Sequence, residues 1–450
     1  MKKSLIAALM AAFCLSVMSA DGNPKYVLLF IGDGMSIPQR TIAEEFSKES
    51  GRGPLMINSL PKQALTRTCS ANSLITDSAA AATAIACGEK TNNGVLGISA
   101  DGQRRLESCA EVAHKDGKKV GIVTSVTINH ATPGGFYAHQ PSRGLMYRVG
   151  LDLIASNFEY FGGGGFSGQN NKTDDEQYKG DLFDLAKEAG YTVVRTREDL
   201  NALPATTPKA LALYGDNALP FAVEAGPEVP TLAEFTAKGL EILQNDAPNG
   251  FFMMVEGGAI DYRGHANDAG ANIKEVLAFD DAVKVGMAFY EQHPEETLLL
   301  VTGDHETGGM TMGFANAGYG LNLLLLDKQK CTPETLNYLV KAAQDANPNY
   351  SFEDAKALLT EKFGFVFDES QKDDKLYVAG KDLEDLKAAY DKGELGGAAR
   401  LLLQNRAGIG WSSGNHTALP VLTTSIGVAS ERFTGFLENT DLAKLLKSLL

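Results

Sequence analysis

The feature that most constrains the fold of this chain is a set of four short apolar runs, each followed by a polar loop that contains glycine. The runs lie at 26–31, 120–126, 251–255 and 297–302, and they are rich in β-branched, aromatic and leucine residues, which is typical of buried strands. Between the last two runs, segment 272–290 carries apolar residues at helical spacing. This strand–helix–strand order predicts a three-layer α/β/α sandwich with a large, mostly parallel sheet.

Segment 332–400 differs from the rest of the chain because it is rich in Glu, Lys, Ala and Asp and offers only short strand candidates. Helix starts at Thr332 and Ser351 indicate that it is mostly helical. We therefore expect one α/β domain over residues 21–450 that carries an inserted, mostly helical cap at about 328–405.

Two shorter segments also make predictions. Leucines at helical spacing after a Thr440 cap predict an amphipathic helix that packs on the domain over 440–450. The consecutive glycines at 162–165 predict a loop or a position of close backbone approach.

The first twenty residues have the layout of a secretory signal peptide. Lys2 and Lys3 precede an apolar stretch at 5–17 that is too short to span a bilayer. Small residues up to Ala20 then indicate a cleavage site. We expect a signal peptide at 1–20, no membrane anchor, and a periplasmic or secreted protein.

Removal of the signal peptide would leave an even set of cysteines in an oxidising compartment, namely Cys69, Cys87, Cys109 and Cys331. An even set permits disulfides without choosing among the three full pairings. Cys87 lies in an Ala-rich predicted helix, where it can remain a free thiol.

The formal net charge is -15 and the pI is near 5.0. This charge repels a nucleic-acid backbone, and no cluster of Lys and Arg interrupts it, so we expect no nucleic-acid-binding surface. A small phosphate compound can still bind where metal ions and an Arg reverse the potential locally.

Side chains of the kind that bind metals follow three of the predicted strands. Asp33 follows the first run and Glu256 the third, while Asp304 and His305 follow the fourth. Because ligands bind outside the carboxyl ends of the strands in open parallel sheets, we expect these residues at one edge. Each alone has a structural explanation; Asp33, between two glycines, would be an ordinary turn residue.

Further candidates lie just downstream of Glu256. Asp261 and His265 follow it among glycines that let the backbone bend until the side chains converge. Carboxylate and imidazole ligands suit Zn²⁺, and His416, in a Gly/Ser-rich turn, is the natural further imidazole. Alone, either histidine would more often be structural, so this interpretation depends on the grouping.

Ser78 is the candidate nucleophile. It opens an Ala-rich stretch that predicts a helix, which places its hydroxyl near the positive helix end. Coordination to Zn²⁺ would lower the pKa of that hydroxyl. The structural alternative is that Asp77 or Ser78 only caps the helix.

Together, and in the same chain order, these motifs resemble the alkaline phosphatase family. The matching segments read FIGDGM at 30–35, TDSA at 76–79, NHATPGGFYAHQPSR at 129–143, VEGGAID at 255–261, TGDHETGG at 302–309 and GNHT at 414–417. The resemblance runs from Lys25 to the C-terminus and is weakest in the predicted cap.

The resemblance implies three metal sites. The ligands that it implies for a first Zn²⁺ are Asp261, His265 and His416. Those for a second Zn²⁺ are Asp33, Asp304 and His305, joined by Ser78. A third site, which holds Mg²⁺ in the family, would be completed by Glu256 and Thr132, with Asp33 bridging to it.

Arg143 resembles the arginine that binds two phosphoryl oxygens, a task that suits its planar fork. The resemblance thus implies an exported alkaline phosphatase that hydrolyses small phosphate monoesters through a phosphoserine intermediate. It is also compatible with a homodimer.

Two positions depart from familiar patterns of the family. His130 stands where well-known bacterial members have Asp and vertebrate members have His, so we expect an outer-shell neighbour of the third metal. This departure leaves Mg²⁺ and a third Zn²⁺ both open at that site. Tyr262, at a substrate-binding position, stands where members commonly have Lys or His, so a water-mediated positive contact to phosphate is missing.

Two other functions remain as alternatives. A phosphodiesterase or sulfatase of the same superfamily shares the metal-bound nucleophile, although Arg143 and a three-metal pattern favour monoesters. A non-catalytic exported protein that binds metal or phosphate would need no serine at position 78. The natural substrate and the oligomeric state do not follow from the sequence.

Overall fold

The computed structural model describes residues 22–171, 176–315 and 317–450, so the predicted signal peptide lies outside the described residues. Within these ranges, no helix combines the length and the apolar composition that crossing a bilayer requires. The strands are β1 (Tyr26–Gly32), β2 (Lys62–Arg67), β3 (Lys119–Thr127), β4 (Tyr160–Gly164), β5 (Thr192–Val194), β6 (Ala210–Tyr214), β7 (Phe251–Gly257), β8 (Thr297–Gly303), β9 (Glu306–Thr307), β10 (Thr311–Met312), β11 (Ile409–Gly410), β12 (His416–Thr417), β13 (Val421–Gly427) and β14 (Gly435–Glu438).

The α-helices in the same ranges connect and cover these strands. They are α1 (Ile37–Glu49), α2 (Ser78–Cys87), α3 (Cys109–Lys115), α4 (Ala131–Gly134), α5 (Met146–Ser156), α6 (Leu182–Glu188), α7 (Arg197–Ala202), α8 (Leu232–Gln244), α9 (Ala259–His265), α10 (Ala269–Gln292), α11 (Pro333–Ala346), α12 (Phe352–Phe363), α13 (Gly380–Asp391), α14 (Leu395–Ala407) and α15 (Asn439–Lys447). Short 3-10 turns supplement them.

Ten of the strands form one sheet in the order β14-β2-β13-β8-β1-β7-β3-β4-β6-β5. Its strands pair in parallel except at β13, which runs antiparallel to both β8 and β2. Strand β1 lies between β7 and β8 in matching register, so these three strands end together. The predicted large, mostly parallel sheet is confirmed.

Helices cover both faces of this sheet. Leu28 and Phe30 of β1 belong to one hydrophobic core, together with residues of α1, α8 and α10. Leu29 and Ile31 belong to a second core, together with residues of α2, α3, α5 and α15. Each such fully buried side chain stabilises the fold by roughly 1.5–3 kcal/mol relative to an exposed one. The two cores confirm the three-layer sandwich.

The segment predicted as a cap contains α11 to α14 and is mostly helical. The predicted helix starts are correct, because the side chains of Thr332 and Ser351 cap α11 and α12. Leu336 of α11 and Leu403 of α14 are buried in the same core as α1 and α10. The status of 328–405 as an insertion stays a prediction.

Two predicted helices begin earlier than expected because other residues cap them. The Asp268 side chain accepts a hydrogen bond at the start of α10, three residues before the predicted helix. At the C-terminus, Glu438 and Asp441 form a capping box, so α15 begins before the predicted Thr440 cap.

The glycine run after Phe161 lies mostly in β4 and is not a loop. The alternative prediction of close backbone approach is correct, since a Cβ atom on Gly163 would lie 1.9 Å from the carbonyl oxygen of Thr124 in β3. Glycine, which has no Cβ atom, is therefore required at position 163 for these two strands to pair.

The cysteines of the described chain are free thiols, and all but Cys69 are buried. This arrangement agrees with the expectation for Cys87. Burial raises the pKa of the Cys109 thiol to about 12, so that it stays protonated at neutral pH.

Candidate functional site

Three buried carboxylates meet where β1, β7 and β8 end. Asp33 is the first residue after β1, which stands between the other two strands. Asp304 follows β8 on one side, and Glu256 lies near the end of β7 on the other. All three residues are fully buried. The strand order thus brings together carboxylates that are far apart in the sequence.

One group of side chains converges on Nε2 of His305. This nitrogen lies 3.3 Å from Oδ1 of Asp33 and 3.2 Å from Oδ2 of Asp304. It also lies 3.2 Å from Oγ of Ser78. A tetrahedral ion with ligand bonds of about 2.0–2.2 Å has edges of about 3.3–3.6 Å between ligands. The spacing of these atoms therefore fits one Zn²⁺.

A second group contains Asp261, His265 and His416. The two Nε2 atoms lie 3.1 Å apart, and the nearest oxygens of Asp261 lie 3.4 Å and 3.5 Å from them. Nδ1 of His265 and Nδ1 of His416 each lie 2.8 Å from a backbone carbonyl, of Gly414 and Thr76 respectively. Because a carbonyl only accepts, Nδ1 carries the proton and the Nε2 lone pairs face each other. Such lone pairs repel unless a cation lies between them, so this group also fits a metal.

A third group surrounds the other side of Asp33. Thr132 Oγ1 donates to Asp33 Oδ2 at 3.2 Å, and Thr124 Oγ1 donates to Glu256 Oε2. A ring nitrogen of His130 lies within 4.8 Å of oxygens of Asp33 and Glu256. Oxygen donors dominate this group, which suits a hard cation such as Mg²⁺.

Buried acidic groups dominate the electrostatics of the site. Burial raises the pKa of Asp33 and of Asp304 well above the usual range, and the Asp304 charge adds to the effect on Asp33. Burial also raises the pKa of Glu256 to about 7, against hydrogen bonds that lower it. One oxygen of each of these carboxylates has no hydrogen-bond partner among the described residues. Cations at these positions would remove the cost of burying the unpaired oxygens.

Burial lowers the pKa of His305 well below the usual range, and His416 and Arg143 lower it further. The ring is therefore neutral at physiological pH, which is the form that binds metals. Its Nδ1 atom lies 3.2 Å from the Thr307 hydroxyl and can donate its proton there. The lone pair on Nε2 then remains free and faces Asp33, Asp304 and Ser78.

Ser78 is the first residue of α2, and Asp77 is its cap. The Asp77 side chain accepts from the backbone N–H of Ala80 at 3.0 Å, so the capping role belongs to Asp77. The Ser78 hydroxyl is buried and remains available to His305. Its position at the helix start also favours negative charge on the oxygen.

Arg143 lies beside this helix start and is partly buried. Its Nη1 donates to Asp77 Oδ2 at 3.2 Å, and its Nη2 lies 2.9 Å from Nε2 of His130. Because a guanidinium only donates, His130 accepts through Nε2. The pKa of His130 is lowered to about 3 by burial and then by Arg143, so the neutral ring keeps its proton on Nδ1. In this state the ring has no free lone pair for a cation, and the outer position of His130, which lies close to the third group, stays a prediction.

Tyr262 packs its ring edge-on against His130, with centroids 5.8 Å apart. Burial, and then the charge of Glu256, raise the pKa of its hydroxyl above the usual value. The phenol is therefore neutral and supplies no positive charge to a bound anion.

Thr307 is a site residue that the sequence analysis missed. Its hydroxyl donates to Asp261 Oδ1 and lies 3.2 Å from Nδ1 of His305, so it connects the two histidine-containing groups. The residue occurs within the TGDHETGG segment, but threonine at this spacing carries no metal-ligand signal of its own. Only the tertiary contact reveals its position.

The turn at Asn93 and Gly94 was also missed. Asn93 Oδ1 accepts from the backbone N–H of Asp77 at 3.2 Å, and the Gly94 carbonyl accepts from the backbone N–H of Arg143 at 2.7 Å. One turn therefore holds the helix start that carries Ser78 and the loop that carries Arg143. Its Asn-Gly sequence is a turn signal, which could have located it but not its contacts.

Comparisons with known proteins find relatives over nearly the whole chain. The family model described as alkaline phosphatase matches residues 24–450. Alkaline phosphatase 4 of Bacillus subtilis is 30% identical over 439 residues, which cover 94% of this chain and 88% of that protein. The alkaline phosphatase of Schizosaccharomyces pombe is 29% identical over 448 residues, covering 95% of this chain and 81% of that protein.

Solved structures are similar over nearly the whole chain. The cold-active alkaline phosphatase of a psychrophilic Shewanella species superposes with a TM-score of 0.81 at 28% identity, covering 94% of this chain and 99% of that one. The Thermus thermophilus alkaline phosphatase gives a TM-score of 0.80 at 28% identity, covering 96% and 92%. A mutant of the TAB5 alkaline phosphatase with Mg bound in its M3 site gives 0.68 at 27% identity, covering 95% and 98%.

Proposed function

This chain belongs to the alkaline phosphatase family, and we propose that, as a phosphomonoester hydrolase, it works through a phosphoserine intermediate at Ser78. The observation that carries the proposal is the approach of the Ser78 hydroxyl and two buried carboxylates to Nε2 of His305 at 3.2–3.3 Å. A free serine hydroxyl is a weak nucleophile, and a bound divalent cation at this point would activate it.

We assign two Zn²⁺ and one Mg²⁺ to the groups described above. The ligands assigned to the first Zn²⁺ are Asp261, His265 and His416, those assigned to the second are Asp33, Asp304, His305 and Ser78, and those assigned to the third cation are Asp33, Glu256 and Thr132. Bound cations would stabilise charge on the attacking and leaving oxygens and supply an activated water. Mg bound in the M3 site of the TAB5 mutant supports Mg²⁺ at the third site, where Zn²⁺ is the alternative.

In the first step, Ser78 Oγ forms a bond to phosphorus while the bond from phosphorus to the alcohol oxygen breaks, and the alcohol leaves. In the second step, water attacks the phosphoserine, the bond from phosphorus to Oγ breaks, and inorganic phosphate leaves. Arg143 binds the phosphoryl group in both steps. Its contacts to Asp77 and His130 use one N–H of each Nη, so the second N–H of each remains for two non-bridging oxygens.

We also propose that the protein is exported, that residues 328–405 form an inserted cap, and that the protein forms a homodimer. Export rests on the sequence of residues 1–20, which lie outside the described residues. A periplasmic or secreted location can be measured by fractionation of cells that express the full chain, and the dimer by sedimentation. The relatives reported above are named alkaline phosphatases, which favours a monoesterase over a diesterase or sulfatase.

The decisive variant is Ser78→Ala. We expect turnover of an aryl phosphate monoester to fall at least about 10³-fold, while metal content, measured by mass spectrometry, stays close to that of the native enzyme. Acid quenching of the native enzyme during turnover should yield a peptide with phosphate on Ser78.

Ser108→Ala is a matched control, because Ser108 is a buried serine at a helix start whose hydroxyl donates to the Phe136 carbonyl. It should lower stability by about 1 kcal/mol and leave turnover intact. Native turnover by Ser78→Ala, or faster hydrolysis of a diester or sulfate ester than of the monoester, would overturn the proposal.

A further inference from the structure

Glu306 is a fully buried carboxylate that lies between His305 and Thr307 and that the mechanism above does not use. We propose that it is a positioning residue, which holds the segments carrying His305 and His416 in the geometry that the first Zn²⁺ requires. This inference rests on the metal assignment of the proposed function.

The Glu306 carboxylate is held by neutral donors of the described chain. Oε1 accepts from Gln39 Nε2 at 2.7 Å and from the backbone N–H of Met310 at 3.2 Å. Oε2 accepts from the backbone N–H of Gly309 at 3.0 Å and from the Thr417 hydroxyl. These four hydrogen bonds fix both oxygens of the carboxylate in place.

These donors come from different segments of the site. Gln39 lies in the first turn of α1, shortly after Asp33. Thr417 directly follows His416 in β12, and β12 pairs with β9 over only two residues on each strand. So short a ladder makes few hydrogen bonds, and the carboxylate of Glu306 adds a link across it. The carboxylate thereby connects the segments that bear Asp33, His305 and His416.

The orientation of Gln39 supports a specific role for the acid. Gln39 Oε1 accepts from the backbone N–H of Ser36 at 3.0 Å, and Nε2 also donates to the Thr307 carbonyl at 3.0 Å. The amide is therefore fixed with its NH₂ group facing Glu306. A glutamine at position 306 would place its NH₂ group in the position of Oε1 or of Oε2. In either orientation that NH₂ group would face N–H donors, so hydrogen bonds would be lost.

The position of His416 depends on the hydrogen bond between Glu306 and Thr417. Its ring stacks on His305 with centroids 3.6 Å apart and planes 18° apart, and its Nε2 must point at Asp261 and His265. Loss of the bond to Thr417 would leave the neighbouring His416 held mainly by the bond from its Nδ1 to the Thr76 carbonyl, so its Nε2 would be positioned less firmly. Changing an outer partner of a metal ligand typically weakens metal binding about 10–100-fold, and we expect that range here.

The test is Glu306→Gln in the full chain, with Co²⁺ as a spectroscopic substitute for Zn²⁺. We expect Co²⁺ at the first site to bind about 10–100-fold more weakly in a chelator competition, with an altered visible absorption spectrum. Thr417→Val should shift the same two readouts in the same direction, and Thr417→Ser should restore them. Thr417→Val decides the question if Glu306→Gln fails to fold.

Glu275→Gln is the control, because Glu275 is also buried and accepts a backbone N–H, from Ala222 at 2.7 Å. It should lower the unfolding temperature while the Co²⁺ spectrum and affinity stay native. The inference is overturned if Glu306→Gln and Thr417→Val also keep the native spectrum and affinity. Failure of the proposed function is separate, because it would appear as native protein that binds no metal or as Ser78→Ala that keeps its turnover.

Discussion

Thr307→Val removes one hydroxyl group between two of the groups to which we assign metals and leaves the shape of the side chain nearly unchanged. In the native structure that hydroxyl donates to Asp261 and lies 3.2 Å from Nδ1 of His305. Thr307 is fully buried, so water cannot enter to replace it. The substitution therefore leaves the N–H of His305 without an acceptor.

The size of the effect follows from these two contacts. A hydrogen bond to a carboxylate contributes about 1.5–3 kcal/mol, and an unsatisfied buried N–H costs about 1–3 kcal/mol. A bound cation would take over part of the Asp261 charge and reduce the loss. We therefore expect zinc affinity to fall about 10–100-fold, which corresponds to about 1.4–2.7 kcal/mol.

The assay is a zinc-buffered titration of activity and of bound metal, compared with Thr307→Ser, which keeps the hydroxyl. Thr297→Val is the matched control, because Thr297 is equally buried and its Oγ1 has no hydrogen-bond partner among the described residues. It should keep the native affinity. Native zinc affinity in Thr307→Val would refute the reasoning, since the hydroxyl would then not orient the ligands.

Two further predictions concern the substrate clamp and the acidic cluster. Arg143→Lys should lower kcat/KM for a phosphate monoester by about 10–100-fold, because Lys lacks the planar fork, and metal content should stay unchanged. Arg105→Lys, at an exposed position, is the control, and an equal loss of kcat/KM in this variant would contradict the prediction. For metal-free protein, the folded pKa values of Asp33, Asp304 and Glu256 are raised, that of Glu256 to about 7. The contribution of Glu256 to stability is present below the unfolded pKa near 4 and is lost as pH rises through about 7, and the contributions of Asp33 and Asp304 are also lost as pH rises. The unfolding temperature after chelation should thus fall between pH 5 and pH 8 and recover on adding Zn²⁺, and a rise over that interval would exclude the explanation.

The sequence was sufficient to predict the strands and part of the site where the signal is local or periodic. The β-branched and aromatic runs located β1, β3, β7 and β8 to within one or two residues. The rule that parallel strands end at one edge then predicted from the sequence that Asp33 and Asp304 lie close together. It did not reveal that β1 lies between β7 and β8, because strand order depends on long-range pairing.

Positions that act only through tertiary contacts escaped prediction. Thr307 bonds to Asp261, 46 positions away, and Thr417 bonds to Glu306, 111 positions away. Threonine and glutamate have many uses in loops, so residue type alone did not distinguish Thr307, Thr417 and Glu306 from loop residues outside the site. The start of α15 was misplaced for a related reason, since Glu438 is an uncommon cap and Thr440 a common one.

The central place of β1 in the sheet has a consequence for biosynthesis. Gly34, one residue after Asp33, donates its backbone N–H to Asp304 at 3.0 Å across 270 positions of the chain. A nascent polypeptide that ends before β8 has neither this partner nor the strand that flanks β1. Asp33 can therefore meet its partners only after synthesis has passed His305, and a fragment that ends before β8 lacks Asp304, His305 and His416.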